Sequence, residues 1–257
     1  MASIKGFTVL VTGASSGIGL ASARAFAQAG ARLILAARRG DRLEELAAEL
    51  KNDCSTETLT VTLDVRDRAQ VQQVLGNLPE AWQAIDILLN NAGLSRGLEK
   101  LFVGNPDDWD EMIDTNVKGL LYVTRVVLPG MIARGRGHII NLGSIAGHEV
   151  YPNGNVYCAT KHAVDALNRA LRLDLLGTPI RVSSVDPGMV ETEFSLVRFH
   201  GDAERAKKVY QGFQPLTPED IADVILFCAT RPPHMDIQDV VLMATAQASS
   251  TLTDRKS

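Results

Sequence analysis

Seven short apolar runs, separated by longer stretches of helical periodicity, limit the folds open to this chain more than any other feature. They fall at 8–11, 33–36, 59–63, 85–89, 138–142, 180–185 and 240–243. Most are nearly continuous and do not alternate apolar with polar (59–63, LTVTL, is the exception), which suits strands buried on both faces, as in a parallel sheet covered by helices. Helical patterns are predicted at about 18–28, 42–50, 68–78, 109–133, 156–176 and 218–229. Asp41 and Thr217 read as N-caps, and Pro218, Glu219 and Asp220 complete a favourable first turn. Alternating β and α with right-handed crossovers gives an α/β, doubly wound, Rossmann-like fold: a seven-stranded parallel sheet flanked by helices.

With 257 residues and 46% hydrophobic content, one domain over 1–257 can bury a full core. Two parts are less regular: 191–214, read as a mobile lid, and 245–257, read as a polar, extended or mobile tail. A net charge of −4 gives no reason to expect nucleic-acid binding. No run of eighteen apolar residues suggests a membrane span, and the start has no signal-peptide architecture. Cys54, Cys158 and Cys228 match no metal spacing and read as free thiols, so the expected location is the cytoplasm. The five histidines lack H-x-x-x-H or H-E-x-x-H spacing, so no metal site is expected. Pro106 to Glu111 is an acidic helix start with favourable dipole placement.

Residues 12–19 read TGASSGIG between the first strand and the first helix. Gly13, Gly17 and Gly19 let backbone approach a dinucleotide pyrophosphate at a helix N-terminus. At the end of the second strand, where an acid would select NAD, stand Arg38 and Arg39. Two guanidiniums suit a 2′-phosphate, so the expected cofactor is NADP. Tyr157 and Lys161, at i and i+4, share a helix face, thirteen residues after Ser144. An ammonium ~4 Å from a phenol at effective dielectric ~20 favours the phenolate by about 4 kcal/mol, so Lys161 is expected to acidify Tyr157. Singly, Tyr157 is a core tyrosine and Ser144 a turn residue; their joint spacing is what points to chemistry.

These motifs, with Asp64 and Val65, the run Asn90 to Gly93, Asn116, Pro187 and Gly188, occur in the order of the short-chain dehydrogenase/reductase family, which the whole chain resembles. The resemblance implies that Ser15, Ser16 and Ile18 join the glycine turn against NADP. It places Asp64 and Val65 beside the adenine. It sets Asn91, Ala92 and Gly93 along the ribose and pyrophosphate, and Pro187, Gly188, Val190 and Thr192 at the nicotinamide end. It makes Tyr157 the proton-exchanging group, Ser144 the hydrogen-bond donor to the substrate oxygen, Lys161 the holder of the ribose, and Asn116 the holder of a water beside Lys161. A homotetramer through the predicted helices at 109–133 and 156–176 is also implied.

A narrower set of runs, including 112–116, 128–131, 137–141, 154–157 and 192–199, resembles the NADP-dependent 3-hydroxy acid dehydrogenases, which oxidise serine, L-allo-threonine and similar acids. Arg96 and Cys158 depart from that pattern near the pocket. The expected activity is hydride transfer between NADP(H) and a small 3-hydroxy acid or its oxo partner. A reductase of another carbonyl, or a non-catalytic NADP sensor, are the alternatives. Arg198 in the lid is the candidate clamp for a substrate carboxylate and Arg96 its rival; both also read as solvated surface arginines.

Overall fold

The computed structural model describes residues 2–256. In chain order the elements are β1 (Thr8–Thr12), α1 (Gly17–Gln28), β2 (Arg32–Ala37), α2 (Gly40–Cys54), β3 (Thr58–Thr62), α3 (Arg68–Gly76), β4 (Ile85–Asn90), α4 (Pro106–Ile113), α5 (Leu120–Arg134), β5 (Gly137–Leu142), α6 (Asn155–Asp174), β6 (Ile180–Pro187), α7 (Phe194–Arg198), α8 (Ala203–Lys208), α9 (Pro218–Ala229) and β7 (Asp239–Leu242). The sheet order is β3-β2-β1-β4-β5-β6-β7, with every neighbouring pair parallel. The seven-stranded, doubly wound sheet expected from the apolar runs is therefore what forms.

Side-chain alternation divides the core between the two faces of the sheet. Val9, Val11, Leu33 and Leu35 pack with Phe26, Leu43, Leu50 and Ile225 of α1, α2 and α9. Leu10, Ile34 and Leu88 point the other way, onto Val71, Val123, Val127 and Met131 of α3 and α5. Both inner faces are apolar, which is why the central strands read as runs without alternation, whereas the edge strand β3 alternates and is only partly buried. The strand order reverses between β1 and β4. The crevice beyond the carboxyl ends of those strands is where such sheets bind ligands.

Two expectations need correction, and two segments that read as irregular carry local structure and contacts. The helix predicted over 109–133 is two helices, α4 and α5, joined by a π-helical turn at Asp114–Gly119. Periodicity alone does not reveal such a turn, because the backbone stays helical while one extra residue widens the ring. Asp41 lies in the first turn of α2, whose N-cap is Arg39 without a side-chain cap bond. Thr217 does cap α9, in a capping box with Asp220. The segment 191–214 carries two short helices, α7 and α8, and the Tyr210 hydroxyl ties it to the Val190 carbonyl at 2.9 Å. Nor does the tail trail away. Gln247 is buried, its Oε1 accepts from Met189 N at 2.8 Å, and Lys256 N reaches Gly212 O at 2.7 Å.

Candidate active site

Beyond the β1 and β4 ends lies a cleft of about 300 Å³. Of the predicted cofactor residues, Gly13, Ser15, Ser16, Gly17, Ile18, Arg38, Arg39, Asp64, Val65, Asn91, Ala92, Gly93 and Thr192 line it. Gly13 has φ +67°, and a Cβ there would sit 2.8 Å from Asn91 Nδ2. That nitrogen donates to Thr12 O at 2.8 Å, and the Thr12 hydroxyl accepts from Asn91 N and Ala92 N, so the turns after β1 and β4 are stitched together. Gly19 lies behind this junction. A Cβ on it would strike Gly13 O and Asn91, so its smallness serves packing of the turn.

The donors around the predicted phosphate seat are engaged. Arg39 donates from Nε and Nη2 to Ser15 Oγ and from Nη2 to Ser16 Oγ at 2.7 Å. Arg38 lies 3.8 Å from Glu111. Asp64, gripped by Arg66 at 2.6 Å, is partly desolvated, yet that guanidinium holds its carboxyl below the usual range. Two guanidiniums beside hydroxyls and the first turn of α1 form a seat suited to a phosphate, so the residues present fit NADP.

Ser144, Tyr157, Lys161 and Asn116 are all buried and do not themselves line the cleft; Lys161 reaches it through the carbonyl of Leu142, a lining residue. Ser144 caps the turn after β5, accepting from Ala146 N at 3.1 Å and donating weakly to Pro187 O at 3.5 Å. Asn116 sits in the π-helical turn. Its Nδ2 donates to Leu94 O and to Thr160 Oγ1, and its Oδ1 accepts from Leu94 N. Gly93 brings Asn116 and Lys161 into one corner, since a Cβ there would lie 3.2 Å from Asn116 Oδ1 and 3.8 Å from Lys161 Nζ.

The electrostatics overturn one expectation. Lys161 donates to Leu142 O at 2.8 Å and stands 6.0 Å from the Tyr157 ring centroid. Burial lowers the ammonium to about 8, against the opposing field of Asp186. The Tyr157 phenol is not acidified by it. Burial pushes the phenol well above its ordinary value, and the influences that oppose the rise are the Arg198 guanidinium and a hydrogen bond with Ser144. Desolvation of a fully enclosed phenol outweighs a cation whose charge is turned to a backbone carbonyl.

Arg198 and Arg96 part company. Arg96 bonds Glu111 at 2.6 Å and Val197 O at 2.6 Å, which spends its fork on structure. Arg198, at the end of α7, donates to Ser95 Oγ at 3.0 Å and Tyr151 Oη at 2.8 Å, and its guanidinium lies 5.3 Å from the Tyr157 centroid. Pro187, Gly188 and Val190 lie outside the cleft lining; Gly188 packs on Gln247 and Val190 on the lid.

Sequence reasoning missed Tyr151, Phe194 and Ser95 around Tyr157, and the His148–Asp186 pair at 2.9 Å beneath Lys161. It missed also the carboxylates Glu111 and Glu193. No local pattern marks these, because each acts across a long sequence separation. Among the described residues, no group of three His, Cys, Asp or Glu could hold a metal, and no helix is long and apolar enough to cross a membrane.

The strand order, the glycine turn and the Ser144–Tyr157–Lys161–Asn116 corner agree with a match to the short chain dehydrogenase family over residues 7–201, and the chain belongs to that family. Within it, the chain is similar to the NADP-dependent 3-hydroxy acid dehydrogenase YdfG of Salmonella typhi, at 48% identity over 97% of this chain and 99% of the relative. The NADP-dependent 3-hydroxy acid dehydrogenase of Schizosaccharomyces pombe is 47% identical over 100% of this chain and 99% of its own. A solved closed form of serine dehydrogenase complexed with NADP+ superposes with a TM-score of 0.91 at 46% identity, covering 98% of this chain and 100% of that one.

Proposed function

We propose that this protein is an NADP-dependent oxidoreductase that interconverts a small 3-hydroxy acid and its oxo or semialdehyde partner. The observation that carries the substrate class is Arg198, whose guanidinium lies over Tyr157 with hydrogen bonds to only Ser95 and Tyr151. A half-buried cation beside the proton-exchanging group supplies what a substrate carboxylate needs. Relatives named for 3-hydroxy acids and serine support the same reading.

In this reading Arg198 clamps the carboxylate, which sets the 3-hydroxyl against Tyr157 and Ser144. Tyr157 takes the hydroxyl proton during oxidation and returns it during reduction. Ser144 donates to the oxygen as charge develops. Lys161, held by Leu142 O, and Asn116, facing it across Gly93, hold the ribose side and a proton exit. The nicotinamide, when bound, supplies or accepts the hydride. Phe194, edge-on to Tyr157 at 5.5 Å, excludes water from the corner.

The reading extends to assembly and location. Leu121 and Ile132 on α5 and Leu173 on α6 are exposed, apolar faces that support a homotetramer through these helices. Three free cysteines and the absence of a charge suited to nucleic acid support a cytoplasmic enzyme acting on a small molecule. The test is NADP reduction followed by nicotinamide absorbance across serine, L-allo-threonine, 3-hydroxypropionate and matched uncharged alcohols. Turnover confined to the uncharged alcohols would overturn the substrate class.

A further inference from the structure

Each arginine of the phosphate seat is held by a carboxylate, and both carboxylates lead to the same short helix. Arg38 faces Glu111, which binds Arg96, which in turn donates to Val197 O in α7. Arg39 donates from Nη1 to Glu193 at 3.0 Å, and Arg42 donates to the other oxygen of the same carboxylate at 2.8 Å. Glu193 immediately precedes α7 and lines the cleft. Its hydrogen bond with Arg42, helped by Arg39, holds its carboxyl below the usual range, so it is an anion at neutral pH.

We propose that Glu193 is a specificity-setting competitor for the cofactor 2′-phosphate: its carboxylate takes the Nη1 donor of the Arg39 guanidinium that the phosphate needs. The inference rests on the NADP reading above and goes beyond it. A phosphate monoester carries about −1.5 to −2 charges near pH 7 and presents three acceptor oxygens. Seating it on Arg39, between Ser15 and Ser16, brings two anions onto one guanidinium, and the carboxylate has to withdraw toward Arg42. NAD brings only a neutral hydroxyl to this point and leaves the Arg39–Glu193 pair intact. Glu193 therefore weakens NADP binding selectively and narrows the preference that Arg38 and Arg39 create.

The experiment is calorimetric titration of the wild-type protein, Glu193→Gln and Glu193→Asp with NADP, NAD, 2′,5′-ADP and 5′-AMP. Unliganded melting temperatures confirm that each variant is folded. Glu193→Gln should tighten NADP and 2′,5′-ADP about three- to tenfold, the scale of an exposed ion pair or two, and leave NAD and 5′-AMP within about twofold. Glu193→Asp, which keeps the charge, should stay near wild type. Unchanged or weaker NADP binding in Glu193→Gln overturns the proposal, as does a parallel change for NAD, which would mark Glu193 as a structural strut for α7. A wild-type protein that does not prefer 2′,5′-ADP over 5′-AMP is a separate failure, of the arginine phosphate seat itself.

Discussion

The Arg198 guanidinium stands 5.3 Å from the Tyr157 ring centroid, nearer than the Lys161 ammonium at 6.0 Å, although lysine is the sequence neighbour on the same helix. The cation that moderates the buried phenol thus comes from the lid segment and not from α6. In the proposed reading, substrate binding and acid–base chemistry share one charge.

Arg198→Ala should therefore have two effects. The KM for a 3-hydroxy acid should rise roughly ten- to hundredfold, while that for an uncharged alcohol of similar size changes little. Because Arg198 lowers the phenol, its removal should also move the pH optimum for oxidation upward, since the phenolate forms later. Equal losses on both substrates with an unmoved pH profile would mean that Arg198 only shapes the lid.

Lys161 makes stability depend on pH. Its folded pKa, about 8, lies below the ordinary 10.5, so between those values the unfolded chain binds more protons than the folded one. Stability from this group therefore rises with pH over that window, and below about pH 8 the full cost of burying the ammonium is present. Lys161→Met should stabilise the cofactor-free protein at pH 7 by on the order of 1–3 kcal/mol, and the gain should fade toward pH 10. Urea unfolding across pH measures this; a pH-independent gain would contradict it.

Arg38→Asp places a carboxylate beside the seat formed by Arg39, Ser15 and Ser16. Preference for NADP over NAD, read as the ratio of kcat/KM values, should fall by at least about tenfold through loss of one ion pair and gain of a repulsion. Equal use of both cofactors by the unaltered protein would remove the basis for the assignment.

Assembly is checked by light scattering at micromolar concentration, where four times the subunit mass is expected. Leu173→Asp, on the exposed face of α6, should shift that mass downward without altering the far-UV spectrum. A wild-type protein at one subunit mass would contradict the tetramer.

The sheet and the glycine turn were legible in the sequence, as was the candidate set Ser144, Tyr157 and Lys161, because these rest on local signals: buried runs, helix spacing and a turn that only glycine permits. The capping of α9 by Thr217 was legible for the same reason. Tertiary structure alone decided the π-helical turn that aims Asn116 inward, since a widened ring leaves helical periodicity nearly unchanged. It alone separated Arg198 from Arg96, because the carboxylate that captures Arg96 from its loop is Glu111 of α4, fifteen residues further on. It also decided that burial, and not Lys161, dominates the ionisation of Tyr157 in the unliganded protein. Spacing reports which side chains share a face, whereas ionisation depends on how completely the surrounding elements exclude water and where each charge is turned, and those are properties of the packed fold.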